Sequence, residues 1–226
     1  MLCSHKACGG GFFMGKIFVI GDIHGCLDKL KTMMNRLDLD GENDTLVFIG
    51  DYIDRGPDPK GVVDFILDLK TRLKHVVCLL GNHEQTFLNY YHHGTDAQLF
   101  YLNGGETTVE SYGMVETPEG KKINVPEDHL EFFDSLLPYY ETDDYIFVHA
   151  GIRPGVPMNK QNIEELTWIR YEFIRHTYDF GKIVIFGHTP LSEPMIEHNK
   201  IGIDTGAAYG GELTCVVLPD KEIIQV

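Results

Sequence analysis

Five short polar motifs, each following directly on a run of apolar residues, constrain the fold of this chain most strongly. The apolar runs have the length and composition of buried β-strands and lie at residues 16–20, 45–49, 75–80, 145–148 and 183–186. The motifs that follow them lie at residues 21–25, 50–56, 81–84, 149–151 and 187–189. Each motif contributes Asp, Asn or His side chains, and α/β folds build their binding sites at the ends of strands. The sequence therefore predicts one polar site at an edge of a sheet.

The order of the apolar patterns predicts an α/β fold. Between the first three strands, apolar residues recur at helical spacing, which predicts helices over 26–39 and after the chain break at 56–59. This alternation is typical of parallel strands joined by right-handed crossovers. The remaining predictions are helices at 82–91, 127–137 and 163–176, loops and short helices at 94–126, and short strands from 183 onward.

Length and composition predict a single folded domain. The chain has 226 residues, of which 43% are hydrophobic, and this is enough to bury a substantial core. We predict a disordered extension at residues 1–13, which contains Cys3, His5 and Cys8, followed by one domain at residues 14–226. One cysteine pair without a second pair makes a poor zinc site, so no metal is assigned to the extension.

The net charge of −15 argues against nucleic acid and anionic membranes as partners, because both attract basic surfaces. No apolar run reaches the roughly 20 residues of a transmembrane helix, and five irregularly spaced cysteines do not form a disulfide framework. We therefore expect a cytoplasmic protein. A small phosphorylated substrate stays compatible with the acidic composition, because bound metal ions reverse the local field. The sequence leaves the oligomeric state open.

The motifs supply six side chains that are suited to binding metal: Asp22, His24, Asp51, Asn82, His149 and His188. Carboxylate, imidazole and amide donors suit Mn²⁺, Fe or Zn²⁺ better than Ca²⁺, and we expect Mn²⁺. Asp22 and His24 are two residues apart, so they point to the same side of an extended segment. Six ligands are too many for one catalytic ion that keeps open positions. They suit two divalent ions that share Asp51.

Two such ions, roughly 3.5–4 Å apart, lower the pKa of a bridging water toward ~7 and bind phosphoryl oxygens. The resulting hydroxide can attack phosphorus in line, and the leaving oxygen then needs an acid. We predict that His83 is this general acid and that Asp54 fixes its tautomer through a hydrogen bond. Arg55 is predicted to hold phosphate oxygens. The whole set predicts hydrolysis of phosphate esters.

In this order and at this spacing, the motifs resemble those of the metal-dependent phosphoprotein phosphatases, within the calcineurin-like metallophosphoesterase superfamily. The resemblance rests on Asp-x-His-Gly, Gly-Asp-x-x-Asp-Arg-Gly, Gly-Asn-His-Glu, His-Ala-Gly and Gly-His-Thr. It implies a central β-sandwich flanked by α-helices. It also implies that one ion is bound by Asp22, His24 and Asp51, and the other by Asp51, Asn82, His149 and His188. His83 would be the acid, oriented by Asp54.

Within this superfamily the chain is similar to the short bacterial and bacteriophage-lambda-type serine/threonine protein phosphatases. Residues 168–170, Trp-Ile-Arg, resemble a Trp-x-Arg motif of that type whose arginine contacts substrate phosphate. The resemblance therefore makes Arg170 a second phosphate-binding residue. Trp168 is alternatively a core residue that only positions Arg170. Tyr209 either lines the pocket or packs against other residues. Arg153 either contacts phosphate or lies on the surface.

The predicted function is a dinuclear-metal phosphomonoesterase that acts on phosphoserine and phosphothreonine, so phosphorylated proteins are the predicted partners. An alternative is a symmetric diadenosine tetraphosphatase on the same scaffold. That branch tends to have Ala at position 54 and Asp at position 84, so Asp54 and Glu84 favour the protein phosphatase. A catalytically inert binding module is a third possibility, but such proteins usually lose ligands, and here none is missing.

Overall fold

Two five-stranded β-sheets form the centre of the structure, a computed structural model that describes residues 15–118 and 120–226. The extension predicted at residues 1–13 lies outside the described residues. The first sheet has the order β12-β11-β1-β2-β3, with β1 (Ile17–Ile20), β2 (Thr45–Phe48), β3 (Val76–Cys78), β11 (Thr214–Leu218) and β12 (Glu222–Gln225). The second has the order β6-β7-β8-β10-β9, with β6 (Tyr139–Glu141), β7 (Tyr145–Val148), β8 (Ile183–Phe186), β9 (Met195–Ile196) and β10 (Lys200–Gly202).

The two sheets pack face to face through an apolar layer. Val19, Val47 and Val216 of the first sheet meet Phe147 and Ile185 of the second in one buried cluster. Their neighbours along each strand point to the opposite face, because successive side chains of a strand alternate. Both faces of each sheet are therefore buried, which explains why the strands read as continuous apolar runs rather than as alternating ones.

Helices cover the two outer faces of this sandwich. Against the first sheet lie α1 (Leu27–Arg36), α2 (Pro59–Arg72), α3 (Asn82–His93), α4 (Ala97–Leu102), α5 (Glu106–Tyr112) and α6 (Glu127–Asp134). Against the second lie α7 (Ile163–Trp168) and α8 (Tyr171–Ile174). The predicted β-sandwich flanked by helices is confirmed. No helix within the described ranges is both long enough and apolar enough to span a membrane.

The single helix predicted at residues 163–176 is wrong, because the chain breaks between α7 and α8. In a continuous helix the carbonyl of Leu166 would accept from the N–H of Arg170. Here it accepts instead from the N–H of Ala150, at 2.8 Å, and Ile169 takes an extended conformation. A tertiary hydrogen bond thus ends α7 and leaves Arg170 between the two helices, as the residue directly before α8. The structure also contains elements that the sequence patterns do not predict: β6, β9 and a hairpin of β4 (Met114–Thr117) and β5 (Gly120–Ile123).

Lys200, a fully buried residue of β10, ties the second sheet to the end of α8. Its Nζ donates to the carbonyls of Phe173, Ile174 and His176 at 3.2, 2.8 and 2.5 Å. Burial lowers the pKa of this ammonium group, and the nearby Glu197 carboxylate opposes the shift. The three carbonyls belong to the last turn of α8 and the residues after it, where a helix leaves acceptors without partners of its own.

We predict that Lys200→Met lowers the free energy of unfolding by about 2 kcal/mol or more, because buried carbonyls lose charged donors. The apolar stem is retained, so packing changes little. Urea denaturation measures the effect. Lys31→Met, on the exposed face of α1, is the matched control and should change stability by less than about 0.5 kcal/mol. Equal stabilities of the two variants would contradict the assignment.

Candidate active site

The predicted site residues come together where parallel strands of both sheets end. β1, β2 and β3 run parallel in the first sheet, and β7 and β8 run parallel in the second. The motif after each strand therefore reaches the same edge of the sandwich. The site side chains that are buried there are Asp22, His24, Asp51, Asp54, Asn82, His83, His149 and His188. Arg55 and Arg170 are half-buried.

The loops after β1 and β2 have a strained backbone at several site residues, and Glu84 contacts the second of these loops. His24, Asp51, Asp54 and Arg55 have positive φ angles of 46°, 54°, 67° and 65°, which non-glycine residues rarely adopt. Glu84 holds this second loop in place. Its carboxylate accepts from the N–H groups of the residues at positions 51, 52 and 53 at 2.9, 2.8 and 3.2 Å. Such strain persists at functional sites only where surrounding contacts enforce it.

Two motif glycines let the backbone approach the carboxylates of the site. A Cβ atom at Gly187 would lie 2.1 Å from Oδ1 of Asp22, and one at Gly81 would lie 2.2 Å from Oδ1 of Asp51. Neither position tolerates a side chain without moving a carboxylate. The glycines of the motifs are therefore needed for the geometry of the site, in addition to forming turns.

Asp51 lies at the centre of two groups of potential metal ligands. One group consists of His24, Asp51 and His83, and the other of Asp51, His149 and His188, with donor atoms within 4.8 Å of one another in each. Oδ2 of Asp51 lies 3.3 Å from Nε2 of His24, and Oδ1 lies 3.4 Å from Nε2 of His149. One carboxylate therefore presents one oxygen to each group.

Hydrogen bonds fix which imidazole nitrogens face Asp51. Nδ1 of His24 donates to the carbonyl of Ile53 at 2.9 Å, and Nδ1 of His149 donates to the carbonyl of Ile49 at 2.8 Å. In the neutral rings, Nε2 then carries a lone pair directed at a carboxylate oxygen. Acceptors that face acceptors in a buried site repel each other unless a cation lies between them. The residues present therefore fit divalent metal ions.

The pKa values of these groups agree with a cation site. Burial is the main cause that lowers the pKa of His188 to about 2, and repulsion from His149 adds to it. Burial also lowers the pKa of His149. Both rings are therefore neutral, as metal ligands must be. Burial alone would raise the pKa of Asp51, but positive charge on the surrounding imidazoles, when they are protonated, outweighs burial and holds that pKa well below its usual value.

Asn82 and Asp22 take different places in the site. Oδ1 of Asn82 lies 3.0 Å from Nε2 of His149 and 2.8 Å from Nδ1 of His188, so it joins the second group. Asp22 stands outside both groups, and its Oδ2 accepts from the backbone N–H of His188 at 3.0 Å. Among the described residues, its buried Oδ1 has no hydrogen-bond partner. This oxygen is therefore available as a ligand for a metal ion.

His83 and Asp54 form the predicted pair. Nδ1 of His83 donates to Oδ2 of Asp54 at 2.6 Å, and both side chains are buried. Nε2 of His83 has no partner in the described part of the chain. Thr108 of α5 donates to the other oxygen of Asp54 at 2.5 Å. No sequence pattern predicts a role for Thr108, because it lies in the poorly periodic region 94–126.

A further carboxylate, Asp204, lies close enough to Asp22 for the two charges to interact. It is buried, and burial raises its pKa. Burial raises the pKa of Asp22 well above its usual value as well, and the Asp204 and Asp51 carboxylates add to that shift. Three carboxylates therefore share one buried region. Their mutual repulsion is relieved when cations occupy the site.

The two predicted phosphate-binding arginines lie on different sides of the site. Nη1 of Arg55 donates to Nε2 of His24, and its guanidinium lies over the Tyr209 ring, 5.2 Å from the centroid. Arg170 is close enough to His188 for its charge to add to the lowering of that pKa by burial. Tyr209 therefore lines the site instead of packing inside. Arg153 is engaged elsewhere, in an ion pair with the carboxylate of Glu165.

Comparison with known proteins agrees with this geometry. A sequence model of the calcineurin-like phosphoesterases matches residues 15–219. The chain belongs to this family. The superfamily inferred from the motifs is thereby confirmed, and a hydrolase that binds divalent metal ions follows from it. The assignments to protein phosphatase and to manganese stay predictions.

Two relatives of similar length have the same protein name. Bis(5'-nucleosyl)-tetraphosphatase PrpE [asymmetrical] of Anoxybacillus flavithermus is 29% identical, over 92% of each chain. The protein of the same name from Oceanobacillus iheyensis is also 29% identical, over 93% of this chain and 92% of its own length.

Solved structures share the fold. A crystal structure provisionally named a diadenosine tetraphosphatase has a TM-score of 0.74 at 24% identity, covering 95% of this chain and 94% of its own. A protein serine/threonine phosphatase from Saccharomyces cerevisiae has a TM-score of 0.62 at 14% identity, covering 96% of this chain and 80% of its own. At these identities the likeness concerns the fold alone.

We predict that Asp51→Asn lowers the content of both metal ions, because its two oxygens face the two groups separately. Asp22→Asn is the matched comparison, because Asp22 lies outside both groups of potential ligands and is predicted to bind one ion only. This variant should lower the content of only one metal ion. Metal analysis of the purified variants by mass spectrometry measures this. Loss of a single ion equivalent in Asp51→Asn would show that Asp51 is not shared.

Proposed function

We propose that this protein is a bis(5'-nucleosyl)-tetraphosphatase that hydrolyses a phosphoanhydride bond of dinucleoside tetraphosphates asymmetrically. The observation that carries the proposal is the similarity to proteins of that name over more than nine-tenths of both chains. The alternative raised from the motifs, a tetraphosphatase, is thus better supported than the protein phosphatase. The relatives' names further favour asymmetric over symmetric cleavage.

The residues of the site suit a polyphosphate substrate. Two divalent metal ions would supply a hydroxide nucleophile at neutral pH and neutralise phosphate oxygens, and we propose that the six predicted ligands hold them. Arg55 and Arg170, on separate sides of the site, can bind phosphates on both sides of the reacting one. His83, with Nδ1 held by Asp54, can give the proton on Nε2 to the leaving oxygen.

A second candidate is a phosphoserine/phosphothreonine phosphatase, and the buried His83–Asp54 pair favours it. A serine alkoxide is a strong base and must be protonated as it leaves, so an oriented acid contributes much to its hydrolysis. A nucleotide phosphate is a weaker base and needs this proton less. The pair is therefore a reason to test both substrate classes in the same assay.

We predict that the metal-loaded protein cleaves diadenosine tetraphosphate with a kcat/KM at least about tenfold above that for a phosphothreonine peptide. Chromatography of the products identifies the bond that breaks, since one water converts the substrate into ATP and AMP or into two ADP. ATP with AMP supports asymmetric cleavage, whereas two ADP would overturn that mode alone. A preference for the phosphopeptide would overturn the proposal and favour the second candidate.

We predict that His83→Ala lowers kcat by roughly 10²- to 10⁴-fold for an alkyl phosphate, in the range of general acid catalysis. The loss for p-nitrophenyl phosphate, whose leaving group needs no proton, should be below about tenfold. Metal content should stay near normal, and His198→Ala, at an exposed position, is the control. Equal losses for both substrates would show that His83 is not the acid.

A further inference from the structure

Trp168, the only tryptophan of the sequence, has a place that packing alone does not explain. It is half-buried, and its ring forms a T-shaped contact with the His188 ring, with centroids 5.9 Å apart. Clefts open on both sides of it. One, of about 590 Å³, contains Arg153 and Arg170, and the other, of about 430 Å³, lies between α3, α4 and α7.

The second cleft is called the α3–α7 cleft here. Its walls include Gln85, Asn89, Asp96, Leu99, Glu164 and Trp168. Its volume is within the range of small-molecule sites, roughly 300–1,000 Å³. The indole ring and Leu99 supply apolar surface, and the other four residues supply polar groups. This is the composition of a site for a flat, partly polar ligand.

One face of α3 joins this cleft to the metal site. Asn82, Gln85 and Asn89 are spaced i, i+3 and i+7, so they lie on the same side of the helix. The cleft thus begins about one turn beyond the predicted ligand Asn82 and reaches two turns beyond it, roughly 5 to 11 Å along the axis. A substrate whose phosphate lies at Asn82 can extend directly into it.

Hydrogen bonds fix the polar groups of the cleft. Oε1 of Gln85 accepts from the hydroxyl of Thr167 at 2.6 Å, which ties α7 to α3 and leaves the amide nitrogen as a donor. Nδ2 of Asn89 donates to Asp96 at 2.8 Å, which leaves its oxygen as an acceptor. These amides are four residues apart and adjacent on the helix. Donor beside acceptor is the pattern that the edge of a nucleobase complements.

The two clefts differ in charge and are therefore suited to different parts of a ligand. Asp96 and Glu164 are acidic, and the described residues that line the α3–α7 cleft include no lysine or arginine. Phosphate groups are repelled there and are attracted to Arg170 on the other side of Trp168. A nucleoside is neutral, and its ribose hydroxyls and base amine can donate to carboxylates.

We propose that the α3–α7 cleft binds one nucleoside of the substrate, with its base stacked on Trp168. This rests on the proposed tetraphosphatase function, and it names the part of the substrate that this cleft takes. Stacking on an aromatic ring stabilises the binding of any of the bases, since each base has a π-face. The metal ions and arginines would then act on the phosphates next to it.

The single tryptophan allows a direct test on the metal-loaded protein, without turnover. Adenosine, which has no phosphate, is titrated while Trp168 fluorescence is recorded. We expect a saturable change, and no change with ribose 5-phosphate, which lacks the base. Leu99→Asp should weaken adenosine binding by roughly 10-fold or more, because it adds a charge to the apolar wall. Leu102→Asp, on the same helix and 75% exposed, is the control and should bind normally.

A kinetic readout accompanies the titration. In Leu99→Asp, the ratio of kcat/KM for diadenosine tetraphosphate to that for p-nitrophenyl phosphate should fall about tenfold, mainly through KM. Absence of a fluorescence change with adenosine, or a change that a basic peptide produces and adenosine does not, would overturn the proposal. If the protein still cleaves the dinucleotide, only the cleft assignment fails. If adenosine binds but the dinucleotide is not cleaved, the tetraphosphatase function fails and the cleft stands.

Discussion

The sharing of the Asp51 carboxylate between two sets of imidazoles is the interaction on which the rest of the site depends. Its two oxygens lie 3.3 and 3.4 Å from ring nitrogens of His24 and His149. Those nitrogens are acceptors, because the other nitrogen of each ring donates to a backbone carbonyl. A buried arrangement of facing acceptors is stable only with cations. The fold is thus built to hold positive charge at one point.

The architecture supplies this point by bringing together loops that are distant in sequence. Parallel strands in both sheets end at the same edge, so motifs separated by more than 100 residues meet there. Glu84 then fixes the strained loop that carries Asp51, and Gly187 lets the last motif pass beside Asp22. The stability contributed by the apolar layers between the sheets and under the helices offsets the strain and the burial of charge. Stability and chemistry are thereby assigned to different parts of the molecule.

Local sequence patterns predicted most of this architecture, because apolar runs and strand-end motifs report directly on buried strands and on ligand positions. The strands after residue 144, except β9, and the buried His83–Asp54 pair follow from such patterns. Thr108 and the break at Ile169 do not. Each depends on a partner more than 15 residues away, the carboxylate of Asp54 in one case and the N–H of Ala150 in the other. The α3–α7 cleft is equally non-local, since its walls come from three helices.

Anomalous diffraction from crystals of the Mn²⁺-loaded protein tests the dinuclear site most directly. We predict two manganese peaks roughly 3.5–4 Å apart, one on each side of the Asp51 carboxylate. One peak should lie beside Asp22 and His24, and the other beside Asn82 and the histidines at positions 149 and 188. A single peak, or two peaks that do not share Asp51, would contradict it.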